Sequence, residues 1–140
     1  MRIAVVDGQG GGIGKVITAK LRKELGEEIE ILALGTNALA TTAMLKAGAN
    51  EGATGENAIV VNMPKVDCVV GPLGIVVANS MLGELTPSMA QAIASSKAEK
   101  FLLPINRCGL QVVGVKAEPL PHMVDVLLTV LKEHWRDKNV

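Results

Sequence analysis

Five glycines fall within the seven residues Gly8 to Gly14, between the apolar run Ile3-Ala-Val-Val6 and a helical recurrence of apolar residues at Ile13, Val16, Ile17, Leu21 and Leu25. A strand that empties through such a turn into a helix brings backbone N–H groups and the positive end of a helix dipole to one point, where phosphate binds readily. It also commits the chain to α/β architecture, since a strand buried on both faces needs helices to cover it. One tight turn needs fewer glycines than this, so the excess points to close approach of a ligand as well as to packing.

Beyond the turn, the hydrophobic pattern alternates between strand and helix periods. Ile3 to Val6 reads as the first strand and 12–25 as the first helix, with Gly26 placed to stop it. Ile29 to Leu34 makes a second strand. Gly35-Thr36-Asn37 then turns into a helix through Leu39, Ala43, Met44 and Leu45, closed by Gly48. The stretch 48–57 is rich in small and turn-forming residues and reads as a surface loop. Ala58 to Asn62 fits either a short helix capped by Thr54 or an extra strand.

Val66 to Val70 is a buried strand pattern, followed by Gly71-Pro72-Leu73-Gly74. Residues 75–94 carry a helical pattern divided by Gly83 and by Thr86-Pro87. Phe101 to Ile105 gives a fourth strand. Only 105–110 separate it from Gln111 to Val115, too short for a parallel crossover, so that run is expected as an antiparallel last strand. Pro121 starts a final helix with apolar positions Val124, Leu127, Leu128 and Leu131. The expectation is a single three-layer, Rossmann-like α/β domain over 1–140, its five-stranded sheet mostly parallel.

Lys plus Arg equal Asp plus Glu at 14 each, so no net field recruits nucleic acid or an anionic membrane. Phe101 and Trp135 are the only aromatic residues, which leaves few platforms on which bases could stack. No apolar run approaches the roughly 20 residues of a membrane span, and the four apolar residues after Arg2 are too few for a signal peptide. A cytoplasmic protein without nucleic-acid or membrane partners is expected. Cys68 and Cys108 lie forty positions apart without a Cys-x-x-Cys spacing, so the pattern signals neither metal nor disulfide. The apolar segment 73–85 exceeds what one helix face buries in a small domain, which predicts a homo-oligomer.

Spacing separates three glycine fingerprints. The dinucleotide pattern G-x-G-x-x-G fits Gly8 and Gly10 but meets Ile13 at its third glycine. The P-loop pattern finds Gly14-Lys15, with Gln9 in place of its first glycine and Val16 in place of the hydroxyl that would hold magnesium. Gly-x-x-x-Gly-x-Gly is satisfied by Gly8, Gly12 and Gly14. In this the first forty residues resemble the cofactor loop of the short-chain dehydrogenases, a likeness that implies a nucleotide or dinucleotide cofactor. Their Tyr-x-x-x-Lys catalytic pair has no counterpart here, because the chain contains no tyrosine.

Ligands of open α/β sheets sit beyond the carboxyl ends of the strands, where strand order reverses. The segments that reach that edge supply the candidate binding residues: Asp7, Gly8, Gln9, Gly10, Gly11, Gly12, Ile13 and Gly14, then Thr36 and Asn37, Gly71 and Pro72, and Asn106 and Arg107. Asp7 would repel phosphate unless it binds a ribose hydroxyl, a cation or backbone N–H groups. Arg107 could grip an anion with two N–H groups, and Cys108 is a conceivable nucleophile set against a packed thiol. His122 and His134 have no sequence partner that suggests a metal or a triad. The carboxylates Glu51, Glu56, Asp67 and Glu84 are spread over four segments, so no acid–base pair is assigned from them.

Taken whole, the chain resembles a small bacterial family of unknown function through Asp7-Gly-Gln-Gly-Gly-Gly-Ile-Gly14, Thr54-Gly-Glu-Asn57, Gly71-Pro-Leu-Gly74, Leu85-Thr-Pro87 and Pro104-Ile-Asn-Arg-Cys108. The leading expectation is a domain that binds a nucleotide or phosphorylated metabolite and acts as a sensor or accessory subunit. The alternatives are a small nucleotide-dependent enzyme with its site at the same edge, and a structural oligomer without ligand.

Overall fold

A computed structural model describes residues 1–105 and 109–138. Five strands form one sheet: β1 (Arg2–Asp7), β2 (Glu30–Gly35), β3 (Glu51–Thr54), β4 (Cys68–Pro72) and β5 (Glu99–Leu103). Their spatial order is β3-β2-β1-β4-β5, and every adjacent pair is parallel. This order fits the Rossmann-like expectation and puts the reversal of strand order between β1 and β4.

Helices cover both faces, as the continuous aliphatic runs of β1, β2 and β4 require. On one face, α1 (Gly12–Leu25), α2 (Ala38–Lys46) and α5 (Leu120–Lys138) bury Ile17, Leu21, Met44, Val124, Leu128 and Leu131 against Ile3, Val5, Ile31 and Val70. On the other, α3 (Glu56–Asn62) and α4 (Pro87–Ser95) bury Ile59, Met89 and Ile93 against Ala4, Val6, Leu34 and Val69. Successive strand residues point to opposite faces, which is why Ile3 and Val5 join one cluster and Ala4 and Val6 the other. Between α1 and α5, Lys20 pairs with Asp125 at 2.9 Å and Lys132 with Glu24 at 3.1 Å.

At the amino end of the sheet, the Arg22 guanidinium donates to the carbonyls of Gly26, Ile29 and Gly48 and to Asn50 Oδ1. One planar group thereby ties the ends of α1 and α2 to the starts of β2 and β3, a use for which several fixed N–H donors suit arginine.

Four expectations are corrected. The sheet has no antiparallel last strand: β5 is parallel to β4, the strand missing from the expected set is β3, inside the stretch read as a loop, and 111–115 form no strand. Val113 there is 96% exposed, so the apolar run has no core to face. β3 escaped the pattern because it is a mostly exposed edge strand, and its Gly52 is there for packing. A Cβ at Gly52 would lie 2.8 Å from Thr41 Cγ2 and 3.0 Å from Leu45 Cδ1.

The ambiguous segment 58–62 is helical, but Gly55 rather than Thr54 precedes α3, and the Thr54 hydroxyl lies 2.8 Å from that of Thr41. Finally, the first part of 75–94 is not α-helix. Short 3-10 turns at Leu73–Val76 and Met81–Gly83 replace it, and Asn79, Met81 and Leu82 take positive φ that no α-helix accommodates. The second part matches: Pro87 opens α4, and Thr86 Oγ1 accepts the N–H of Met89.

Candidate functional site

Adjacent β1 and β2 end in register, Asp7 opposite Gly35, so the turns that follow them lie side by side at the carboxyl edge. The Thr36 N–H donates to the Asp7 carbonyl, and Asn37 Nδ2 donates to the Gln9 carbonyl at 2.9 Å. Asn37 also caps α2, its Oδ1 accepting the Ala40 N–H at 2.9 Å. The expected neighbours Gly8 to Gly14, Thr36 and Asn37 therefore form one cluster.

The glycines in the first turn divide by role. Gly8, Gly11 and Gly14 are buried and have packing reasons. A Cβ at Gly8 would strike Thr36 Oγ1 and Met81 Sδ, one at Gly11 would come within 2.8 Å of Ala40 Cα, and one at Gly14 would lie 2.5 Å from Met44 Sδ. Gly11 also needs its positive φ of 73° to turn the chain into α1. Gly10 and Gly12 are exposed, and a Cβ on either would meet nothing within 4 Å. Packing thus accounts for three of the five.

Asp7 does not face solvent. It is 3% exposed, its Oδ1 accepting the N–H of Gly8 at 2.8 Å and its Oδ2 that of Gly14 at 2.7 Å. The carboxylate occupies the start of α1, where the dipole favours negative charge and where a phosphate was expected. Burial raises the Asp7 carboxyl above its usual value. The N–H groups of Gly14, Gly8 and Ile13 oppose that rise, and repulsion from Glu84 adds to it.

Glu84 is the residue that sequence reasoning missed. It sits on the segment between β4 and α4, and its Oε1 accepts three bonds: the Gln9 N–H at 2.9 Å, the Thr36 hydroxyl at 2.7 Å and Asn37 Nδ2 at 2.7 Å. The Gln9 N–H, the Thr36 hydroxyl and the Asn37 amide hold its carboxyl below the usual value, against a smaller effect of burial. The donors are 75, 48 and 47 positions away in sequence, beyond any local motif.

The other predicted residues fare differently. Gly71 and Pro72 end β4 and are buried; a Cβ at Gly71 would lie 2.5 Å from the Val6 carbonyl oxygen, so this glycine lets β4 approach β1. Asn106, Arg107 and Cys108 lie outside the described residues. Cys68 is buried in β4, as its strand pattern implied. His122 lines a cavity of about 310 Å³ between β5 and α5, away from the glycine turn, and the His134 ring packs edge-on to Phe101 with centroids 5.3 Å apart. Among the described residues no cluster of three or more His, Cys, Asp or Glu could hold a metal ion. No helix among them is long and apolar enough to cross a membrane.

Residues 2–136 match the family model described as Domain of unknown function (DUF3842). The chain belongs to this family. The match spans every strand of the DUF3842 sheet, the glycine turn and the segment that carries Glu84. No curated protein and no solved structure matches the chain.

Proposed function

We propose that this DUF3842 domain binds a nucleotide or another phosphorylated metabolite at the carboxyl edge, over the turns that follow β1 and β2, and works as a sensor or accessory subunit. The observation that carries this reading is the uncovered rim of Gly10 and Gly12. Two exposed glycines without a packing role leave backbone open to close approach, beside the Gln9, Thr36 and Asn37 donors that Glu84 engages in this structure. Lys15, exposed one residue beyond Gly14, offers a cation nearby. Asp7 holds the start of α1, so the ligand is placed on the rim and not on the helix end. Thermal melts with NAD, NADP, ATP, GTP and S-adenosylmethionine test the reading. A cognate ligand at a hundred times its dissociation constant adds about 2.7 kcal/mol to stability.

A second reading, a small nucleotide-dependent enzyme, draws on the contrast between Asp7 and Glu84. Two carboxylates of which one is pushed up by burial and the other held down by hydrogen bonds form the kind of pair that divides acid and base roles. Against it, both Asp7 oxygens are engaged by backbone and shielded from a substrate. Mass spectrometry of each ligand after incubation separates turnover from binding.

The chain is further proposed to self-associate through the segment after β4. Leu82 is 98% exposed there, an apolar side chain that a second copy could cover.

A further inference from the structure

Glu84 Oε1 collects three donors that come from two different turns, and none of the three is its chain neighbour. A carboxylate oxygen bound in this way by one N–H, one hydroxyl and one amide marks a position shaped to hold an oxyanion. The position is separate from the start of α1, which the Asp7 carboxylate already fills from a buried site.

The segment that delivers Glu84 is not held by its own conformational preference. Met81 and Leu82 have φ of 57° and 56°, a region that their Cβ disfavours, whereas Asn79 at 66° is of a type that tolerates it. Leu82 gains no burial from being there. What holds the strap is the Glu84 contact set, Ser80 Oγ donating to the Gly74 carbonyl at 2.6 Å, turn bonds from the Asn79 N–H to the Leu85 carbonyl at 2.8 Å and from the Leu85 N–H to the Ser80 carbonyl at 3.2 Å, and the buried side chains of Leu85 and of Met81, which packs over Gly8. Backbone strain of this kind persists only where the surroundings over-determine it, and it concentrates at switching segments.

Resting on the binding function proposed above, we infer that the Gln9 N–H, Thr36 Oγ1 and Asn37 Nδ2 form an oxyanion subsite whose internal occupant is Glu84, and that a phosphate or carboxylate of the ligand exchanges with it and frees the Glu84 side chain and the exposed tip at Leu82 and Gly83, while Met81 and Leu85 stay buried. Glu84 is partly exposed and returns to water on leaving, whereas Asp7 is enclosed and stays. The two occupants exclude each other, because a second anion beside Glu84 and Asp7 would meet two like charges with the donors already taken. The strap therefore acts as an intramolecular competitor, and its position reports occupancy of the site.

Competition fixes the sign of the test. Inorganic phosphate and succinate, one probe for each source of the oxyanion, are titrated into the parent, Glu84→Ala and Glu84→Ala/Thr36→Val, following the amide signal of Gln9 by nuclear magnetic resonance. Exchange predicts that Glu84→Ala lowers the half-saturating concentration of at least one probe by about tenfold or more, the factor set by a charged hydrogen bond. Thr36→Val, which removes one donor, then reverses part of that gain. Glu84→Gln keeps the acceptor but removes the charge. It shows the same sign with smaller amplitude and covers the case in which Glu84→Ala does not fold. A parent that binds while the Glu84 variants bind equally or more weakly overturns the exchange and leaves the binding function standing, with Glu84 as a ligand contact or a bystander. No response of Gln9 to either probe in any of the proteins overturns both.

Discussion

The Asp7 carboxylate accepts the backbone N–H of Gly14 at 2.7 Å, so the strand that opens the fold ends on the first turn of the helix that follows it. That bond and its partner from Gly8 satisfy two buried N–H groups of the turn from within the chain. Asp7→Ala strips the acceptors from two buried N–H groups, which costs about 1–3 kcal/mol. Urea unfolding should show a midpoint below that of the parent; an unchanged midpoint would mean that water replaces the carboxylate without loss.

The division among the glycines gives a paired prediction. Gly14→Ala forces a Cβ into Met44 Sδ and within 2.9 Å of Asp7 Cβ, and overpacking of this kind costs about 1–3 kcal/mol. Gly12→Ala meets open space at the start of α1 and keeps or slightly raises stability. Gly12 is thus the position at which a bulky replacement tests ligand binding without unfolding the protein. Equal stability losses at the two positions, measured by thermal melting, would contradict the assignment.

Acid should loosen the strap. The Glu84 carboxyl is held below its ordinary 4.5, so the stability it contributes is present above that value and is lost as pH falls through the lowered folded value. Asp7 titrates in the opposite sense: its folded value is raised above 3.8, so its ionisation lowers stability as pH rises through that value. Comparing the parent with Glu84→Gln isolates the Glu84 charge, its repulsion of Asp7 included. The parent's advantage in urea midpoint at neutral pH should shrink below about pH 4.5. A difference that stays constant down to the acid limit would show that the Glu84 charge does not hold the strap.

Met81 and Leu82, neighbours in one apolar segment, should respond oppositely to charge. Met81 is 6% exposed, so Met81→Glu places a carboxylate in the core and unfolds the protein. Leu82→Glu keeps the fold and lowers the mass seen in light scattering where self-association runs through the strap. Leu82→Asn relieves a left-handed leucine and stabilises by about 1 kcal/mol. A parent that stays monomeric at tens of micromolar removes the strap as an interface.

What the sequence disclosed follows the range of the forces involved. The buried strands β1, β2 and β4 and the helix α1 are written in continuous or periodic apolar runs, and Asn37, Thr36 and Pro87 stand at turns and helix starts where local chemistry places them. β3 was illegible because an exposed edge strand has no apolar face to betray it, and Gly52 imitates a loop while serving close packing. The parallel sheet was mistaken at its last strand for the same reason, since the missing strand had to be sought at Gln111 to Val115. Within the site, the glycine turn announced itself, but Glu84 reaches it from 75 positions away through a strap whose shape depends on tertiary contacts. Gly8 and Gly14 looked like ligand glycines until their neighbours Thr36, Met81 and Met44 came into view.

The most direct test of a ligand site at the carboxyl edge is an amide nitrogen–proton correlation spectrum of this 14.6 kDa chain with each nucleotide of the panel added in turn. The site described here predicts saturable shifts for at least one ligand at Gln9, Gly10, Gly11, Gly12, Thr36 and Asn37, with Glu84 and Leu82 responding as the strap moves. Saturable shifts confined to other surfaces, or none across the whole panel, would contradict it.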